Sequence, residues 1–406
     1  MDISSFRLLL TPTGQKVLLD AEELQPREND FLSHFQSLSR KYPADMARAA
    51  LETAILRLEA KKKFPFAERM YFTREALEQA SPWEVSTYRA QRCKSFVRII
   101  DLGCSIGSDT LTLANVAPTT GVDLDPMRLA MAQTNAIALK PAHEAAFLRA
   151  DISVNISLSL KPLSSALFFD PSRRANYKRV YSVRDYTPPL SIIESWLRQY
   201  PALGVKISPG VNLGEIEHYD AEVEFISLRG ELKEAVLWFG PLKVNNRCAT
   251  LLPGPHSLAS DMFAEDLITR KLPLSEPLRY IYEPDPAVLR AGLVYDLGEQ
   301  LGACQLDPDI AYLTSSEHER TPFARAWEIV DWFPFGLKRL RAYLREQTVG
   351  RVTVKKRGSP IQPDVLIHDL RLRGDEERVV FLTHLRGRPI VIICYPNTIE
   401  DVERDK

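Results

Sequence analysis

Apolar and polar positions change their spacing along the chain. Over residues 27–92 apolar side chains recur at helical intervals, with Ala50, Ala54 and Leu58 on one stripe and charged residues opposite. From residue 96 short apolar runs alternate with helical segments. These runs are FVRIIDLG (96–103), TTGVDLDP (119–126), EAAFLRADI (144–152), SSALFFDPS (164–172) and ALGVKISPG (202–210). Such alternation predicts an α/β fold with a parallel, doubly wound sheet.

The later part of the chain predicts further units. EVEFISLRGELKEAVLWFG (222–240) reads as a hairpin that makes the far edge of the sheet antiparallel. The turn-rich stretch NNRCATLLPGPHSLASD (245–261) is the best candidate for a linker. Strand and helix patterns then predict two small α+β domains. The predicted division is a helical region over 1–94, an α/β domain over 95–250, and small domains over 275–336 and 337–400.

Composition narrows the class of protein. The chain has 406 residues and a net charge of −1, so no global field draws it onto nucleic acid. Its five cysteines are scattered, which argues against a zinc site or disulfide framework and for a reducing compartment. The N-terminus lacks the features of a signal peptide, and no run of about 18 apolar residues could span a membrane. We therefore expect a cytoplasmic protein without a metal.

A glycine-containing loop and four acids mark the predicted sheet. The loop DLGCSIGSDT (101–110) joins the first strand to the first helix, where a nucleotide can approach free backbone N–H groups. It lacks two of the three glycines of the dinucleotide-binding fingerprint. Acidic residues end four successive strand runs: Asp101, Asp123, Asp151 and Asp170. Asp123 is placed to accept hydrogen bonds from ribose hydroxyls, and Asp151 from an adenine amino group.

The loop and the acids together resemble class I S-adenosylmethionine-dependent methyltransferases. Asp101-x-Gly103-x-Ser105-x-Gly107 is similar to their D/E-x-G-x-G-x-G loop, with serine in place of the middle glycine. The resemblance implies a Rossmann-like core with a mostly parallel seven-stranded sheet, and S-adenosylmethionine as cofactor. The implied cofactor-binding residues are Asp101, Gly103, Cys104, Ser105, Gly107, Asp123, Leu124, Asp151, Ile152 and Asp170.

Later segments narrow the resemblance to one bacterial family. FFDPSRR, GVKISPGV, GELKEAVLWFG, YIYEPDPAVLRAGL and RVTVKKRG are similar to segments of methyltransferases that carry a C-terminal THUMP-like domain. In that family a small ferredoxin-like unit precedes the THUMP-like domain, so the resemblance covers most of the chain. It makes 275–336 the ferredoxin-like domain and 337–400 the THUMP-like domain.

The DPSRR motif is the candidate catalytic site. Amino-methylating enzymes of this class carry D/N-P-P-aromatic after the fourth strand; here Asp170 and Pro171 match, while Ser172 and Arg173 replace the second proline and the aromatic residue. Asp170 can accept from an amine or orient a nucleophile. A stacking surface would then come from the arginine plane, Tyr177 or Tyr181. Arg173 and Arg174 are candidates to bind a substrate phosphate.

Basic residues concentrate near the C-terminus. Between Lys338 and Arg388 there are 13 Lys or Arg against six Asp or Glu, in a chain whose net charge is −1. A segregated basic region is typical of phosphate binding, so RNA is the expected partner, with Lys355, Lys356 and Arg357 as contacts. Two alternatives stay open: a small-molecule or protein acceptor, and an RNA-binding protein that uses the cofactor structurally. Lys206 is interpreted as a surface lysine.

Overall fold

The computed structural model describes residues 1–154, 164–175, 178–180, 182–262 and 269–396, with residues 174, 175, 178 and 179 described by their backbone alone. The chain forms two compact units. The first comprises Met1–Val223 and Lys233–Val244, and the second comprises Glu224–Leu232 and Asn245–Lys406. The predicted four-way division is not tested by this observation and stays a prediction.

Six helices open the first unit. They are α1 (Ile3–Leu9), α2 (Pro12–Glu23), α3 (Phe31–Ser39), α4 (Ala44–Ala60), α5 (Arg74–Gln79) and α6 (Trp83–Ala90). Thr11 caps α2, where Pro12 takes the first helical position, and Thr73 caps α5 through the Ala76 N–H. Ala50 and Ala54 of the predicted α4 stripe are buried in a core shared with Ile106 and Met131 of the α/β region, whereas Leu58 is only half-buried.

A sheet follows the helices. In chain order its strands are β1 (Arg98–Leu102), β2 (Thr119–Asp123), β3 (Ala145–Arg149), β4 (Ser165–Phe169), β7 (Leu203–Ile207), β8 (Ala221–Leu228), β9 (Glu231–Phe239), β10 (Arg247–Leu252) and β11 (His256–Ser260). A separate pair, β5 (Arg174–Ala175) and β6 (Lys178–Arg179), lies between β4 and β7 in sequence. The intervening helices are α7 (Ser108–Leu113), α8 (Pro126–Leu139) and α9 (Ile193–Leu197).

The strand order in this sheet is β11-β10-β8-β9-β7-β4-β1-β2-β3. Strands β3, β2, β1, β4 and β7 are parallel, and β9 is antiparallel to β7. The parallel sheet with an antiparallel terminal hairpin is therefore confirmed. The carboxyl ends of the parallel strands meet at one edge, as expected for crossovers through helices.

The linker predicted over 245–261 is wrong. Strands β10 and β11 occupy this stretch and pair in antiparallel register from Arg247 with Ser260 to Leu251 with His256. The turn residues that suggested a linker, Pro253 and Gly254, instead form the tight connection of a hairpin. Within the part of the chain that the structure describes, nine strands thus form this sheet, two more than predicted.

The second unit holds another sheet. Its strands are β12 (Tyr280–Pro284), β13 (Cys304–Asp307), β14 (Ile310–Ser315), β15 (Ala324–Pro334), β16 (Val349–Lys356), β17 (Glu376–Leu385) and β18 (Arg388–Cys394). Its helices are α10 (Pro286–Ala291), α11 (Val294–Leu301), α12 (Leu337–Glu346) and α13 (Pro363–Leu370).

The two predicted α+β regions share this second sheet, whose order is β13-β14-β12-β15-β18-β17-β16. The eleven-residue β15 joins them, because its first half pairs with β12 and its second half with β18. All neighbours are antiparallel except β16 and β17. Within the described part of the chain, no helix is both long and apolar enough to cross a membrane.

Candidate active site

The loop after β1 is shaped by three residues with positive φ. Gly103 (φ +81°) and Gly107 (φ +82°) flank Ser105 (φ +50°), which takes the left-handed conformation at the position where the related loop has glycine. A Cβ on Gly103 would lie 2.9 Å from the carbonyl oxygen of Asp170. Glycine therefore lets the loop touch the backbone of the DPSRR motif directly. The sequence prediction that these two segments share one site agrees with this contact.

Asn135 of α8 holds the loop from behind, and sequence reasoning missed it. Its buried amide donates to the carbonyl oxygens of Ile106 and Tyr71, both at 3.1 Å, and accepts from the Tyr71 N–H at 2.7 Å. A buried amide with this many partners fixes the backbone around it. Asn135 lies within an ordinary amphipathic helix, so only the tertiary contact distinguishes it.

Asp101 is buried behind the loop. Its Oδ2 accepts from Thr110 Oγ1 at 2.6 Å, whereas Oδ1 has no donor among the described residues. Burial raises the pKa of Asp101 to about 8, helped by the nearby charges of Asp109 and Asp170 and opposed by Thr110 and Arg89. The carboxyl group at the end of β1 is therefore largely protonated near neutral pH.

Asp123 has the geometry expected of a nucleoside-binding acid. Its Oδ2 accepts from the Ser105 N–H at 2.8 Å and its Oδ1 from the Asp125 N–H at 2.9 Å, which fixes the carboxylate beside the loop. Each oxygen keeps a second lone pair for a ribose hydroxyl. The neighbouring Leu124 is 57% exposed and presents an apolar surface. These residues fit the nucleoside part of S-adenosylmethionine.

Asp151 and Ile152 follow the carboxyl end of β3 near the limit of the described residues. Asp151 is exposed, and its Oδ1 accepts from both the N–H and the hydroxyl of Ser153. Those hydrogen bonds lower the pKa of Asp151, so it stays ionised. The predicted contact of Asp151 with adenine stays a prediction.

Asp170 forms an ion pair that the sequence did not predict. Lys206, near the end of β7, is only 2% exposed, and its Nζ lies 2.7 Å from Asp170 Oδ2 and 3.3 Å from the Gln79 carbonyl oxygen. The interpretation of Lys206 as a surface lysine is therefore wrong. A charged group is buried in this way when a partner of opposite charge is fixed beside it.

The remainder of the DPSRR motif is braced by backbone contacts. Pro171 is buried, and Ser172 exchanges backbone hydrogen bonds with Thr187 at 3.1 and 3.0 Å. The Arg173 Nη1 donates to the Ile207 carbonyl oxygen at 3.4 Å, so this arginine reaches back to β7. The Arg174 side chain, Tyr177 and Tyr181 lie outside the described residues.

A buried charge network supports the site. Arg89 of α6 lies 2.5 Å from Asp109 and 3.0 Å from Glu234, and its guanidinium stacks 4.7 Å from the Phe168 ring. Although burial alone would raise the pKa of Asp109, Arg89 and Lys206 more than offset it and lower that pKa. Asp109 is the second residue of α7, so the network anchors the helix that follows the loop after β1. We call this loop, residues 103–107, the cofactor loop because the sequence predicts that it binds S-adenosylmethionine.

Lys355, Lys356 and Arg357, the predicted RNA contacts, belong to the second unit and divide between two faces of β16. Lys355 pairs with Glu283 at 2.5 Å, and Arg357 stacks 5.1 Å from the Tyr312 ring. Lys356 instead donates to Gln362 Oε1 at 3.2 Å. Alternation along the strand separates them, because successive side chains point to opposite faces.

The fold, with parallel strands joined through helices and an antiparallel terminal hairpin, is like that of class I methyltransferases. A THUMP domain-like family model matches residues 324–396, and a domain of unknown function (DUF8688) matches residues 2–60. Two Mycobacterium tuberculosis proteins, from strains H37Rv and CDC 1551, are each 34% identical over 370 residues. These cover 87% of this chain and 98% of theirs, and both relatives are named uncharacterized S-adenosylmethionine-dependent methyltransferases.

A solved structure shares the fold over nearly the whole chain. It is the crystal structure of a Porphyromonas gingivalis W83 protein solved as a candidate methyltransferase, with a TM-score of 0.75 and 20% identity. The match covers 91% of this chain and 99% of that one. The chain belongs to the family of S-adenosylmethionine-dependent methyltransferases with a C-terminal THUMP-like domain. The predicted fold class, enzyme class and cofactor are confirmed.

Proposed function

We propose that this methyltransferase acts on RNA and that Asp170 orients the accepting atom. The observation that carries the catalytic assignment is the pair of Asp170 with buried Lys206, at 2.7 Å, directly against the cofactor loop at Gly103. Lys206 binds Oδ2; in the part of the chain that the structure describes, Oδ1 of Asp170 has no hydrogen-bond donor. That oxygen is available to accept a hydrogen from the substrate.

The chemistry assigned to the protein is positioning. S-adenosylmethionine, when bound, supplies a methyl group on a positively charged sulfur. The accepting atom would take this methyl group and leave the sulfur as a neutral thioether, and the proton that it loses would pass to Asp170 and on to solvent. Asp170 would accept a hydrogen bond from the N–H or O–H being methylated and align its lone pair. Lys206 would hold Asp170 in that orientation, and Asp123 with Leu124 would bind the nucleoside.

Support for RNA comes from the second unit. The THUMP-like match covers residues 324–396, and the excess of Lys and Arg between residues 338 and 388 falls within that range. A basic surface segregated in one part of a nearly neutral chain favours a polyanionic substrate. Phosphate contacts would position the RNA, while Asp170 would act on a single nucleotide.

The Asp170→Asn variant tests the catalytic assignment. Loss of the carboxylate removes the acceptor for the substrate hydrogen, so we expect methyl transfer to fall by about 10²–10⁴-fold while cofactor affinity stays within twofold. Asp123→Ala tests the cofactor site instead: it should abolish the binding of S-adenosylmethionine, which calorimetry measures. Retained turnover in Asp170→Asn would remove Asp170 from the mechanism, and unchanged affinity in Asp123→Ala would remove Asp123 from the cofactor site.

The substrate class is tested separately. Extracts of cells lacking the protein are incubated with purified enzyme and labelled S-adenosylmethionine, and the RNA, protein and metabolite fractions are counted. Label in RNA that requires Asp170 is the expected result. Label confined to protein or metabolites would overturn the RNA assignment while leaving the methyltransferase class intact.

A further inference from the structure

The second unit contains an open cleft lined by four cations. Its volume is about 850 Å³, and the basic residues that line it are Arg320, Arg325, Lys355 and Arg357. They come from two separate parts of the sequence, 320–325 and 355–357, so the cluster is not a run of adjacent charges. We propose that this arginine cleft binds the phosphodiester backbone of single-stranded RNA, an inference that rests on the proposed function.

The cleft has more positive charge than its own acids offset. Two carboxylates line it, and both have partners within the protein. Glu283 pairs with Lys355 at 2.5 Å, whereas Asp285 accepts from Ser227 Oγ at 2.5 Å and from the Ala287 N–H at 2.8 Å. Four cations against two carboxylates leave the lining of the cleft with a formal excess of two positive charges.

The arginines suit phosphate because their guanidinium groups are planar and always charged, with paired N–H donors. Arg357 is braced against the Tyr312 ring, which limits the number of orientations it must give up when a ligand binds. Arg320 and Arg325 also line the cleft and are exposed, so a ligand can reach them. Successive phosphates of a flexible strand can contact several of these guanidinium groups.

Gly230 leaves room for one of these arginines. It lies in the β8–β9 turn with φ +78°, and a Cβ at this position would come 2.8 Å from Arg325 Nη2. Any side chain here would push the guanidinium away from the hairpin. The glycine therefore serves both the turn and the placement of Arg325.

The size and lining of the cleft indicate what part of the RNA it holds. A volume of about 850 Å³ is far larger than one phosphate group needs and is typical of sites for larger ligands. Among the described residues that line it, His256 supplies the only aromatic ring. The cleft therefore offers little aromatic surface for base stacking, and phosphate contacts dominate. We expect binding with little sequence preference and a steep salt dependence.

The test compares two double variants of the full chain. A fluorescein-labelled oligouridylate of about 12 nucleotides is titrated at several salt concentrations and binding is followed by anisotropy. Arg320→Ala with Arg325→Ala should weaken binding at least tenfold at low salt. It should also reduce the slope of log K against log salt by about 1.4, since each lost contact to a single strand contributes about 0.7. Thermal unfolding and cofactor binding confirm that the variant folds.

The matched control removes the same charge outside the cleft. Lys271 and Arg279 are exposed residues of the same unit that lie outside both the cleft and the basic segment 338–388, so Lys271→Ala with Arg279→Ala should keep affinity within twofold. Equal losses in both double variants would show that overall charge, and not the cleft, holds the RNA. Competition by polyglutamate as strong as by oligouridylate of equal charge would overturn the assignment to phosphate.

The outcomes separate this inference from the proposed function. The RNA affinity of the cleft variant tests the cleft, whereas the cell fraction that receives the labelled methyl group tests the proposed function. If RNA is methylated but the cleft variant binds like the control, the cleft assignment fails and the proposed function stands. If the cleft variant alone loses RNA while label goes only to protein or metabolites, the proposed function fails and the cleft stands.

Discussion

At the scale of single residues, the acids at the strand ends differ because their surroundings differ. Burial raises the pKa of Asp101 to about 8, whereas exposed Asp151 has a lowered pKa through its hydrogen bonds with Ser153. Asp170 differs from both, because it is partly exposed and forms an ion pair with buried Lys206. Four acids in similar sequence positions are thus suited to different tasks.

Asp101 makes stability depend on pH. The pKa of Asp101 is raised above the value for aspartate in an unfolded chain. Its contribution to the free energy of unfolding is therefore fully present below about pH 4 and is lost as pH rises towards 8. Asp101→Asn resembles the protonated acid and can still accept from Thr110. We expect the melting temperature of the variant, relative to that of the unaltered protein, to increase from pH 5 to pH 9. Parallel pH profiles would contradict the raised pKa.

At the scale of elements, buried polar groups connect helices to the sheet. Arg89 joins α6 to α7 and β9 through Asp109 and Glu234, and Asn135 joins α8 to the cofactor loop. Ser81 adds a hydrogen bond to Glu234 at 2.6 Å. These contacts hold the helical N-terminal region against the α/β core and keep the loop in position for the cofactor.

Arg89→Met should destabilise the protein strongly. It would leave Asp109 and Glu234 buried without their cation, a change that typically costs about 3–5 kcal/mol. Arg74 offers the control, because it is 42% exposed and pairs with Glu28 and Glu59 on the surface. Arg74→Met should cost no more than about 1 kcal/mol. Denaturant titrations measure both, and equal losses would show that the Arg89 network contributes no more than a surface pair.

At the scale of the whole molecule, charge is distributed unevenly in a chain of net charge −1. The proposed chemistry belongs to the first unit, which holds Asp123 and Asp170, and the proposed RNA contacts belong to the second. In this proposal RNA binding depends on exposed charges, whereas methyl transfer depends on a buried ion pair. Salt screens phosphate contacts with exposed arginines much more than it screens the buried pair of Asp170 with Lys206.

Steady-state kinetics can separate the salt dependence of RNA binding from that of methyl transfer. If three phosphates are engaged by arginines, raising the salt from about 50 to 200 mM should raise KM for RNA by about 20-fold. We expect kcat and the affinity for S-adenosylmethionine to change by less than twofold. A fall in kcat with constant KM would contradict the assignment of RNA binding to the charged surface of the second unit.

Local sequence patterns were enough to predict the parallel core, the loop after β1 and the acids at the strand ends. These features depend on local patterns: an apolar run, an acid, then glycines or a helix, repeated along the chain. The hairpin formed by β8 and β9 was also predictable from the sequence, because Arg229 and Gly230 separate two β-rich runs. The same local reasoning mistook β10 and β11 for a linker, since turn residues do not reveal whether flanking segments find a sheet edge.

Contacts between side chains that are distant in sequence became visible in the folded chain alone. Lys206 lies 36 positions from Asp170, and Glu234 lies 153 positions from Ser81, so neither contact leaves a periodic signal in the sequence. The arginine cleft likewise combines charges from separate segments of the second unit. Folding places these groups in a low-dielectric or concave setting, and that setting gives a lysine, an aspartate or an arginine its particular role.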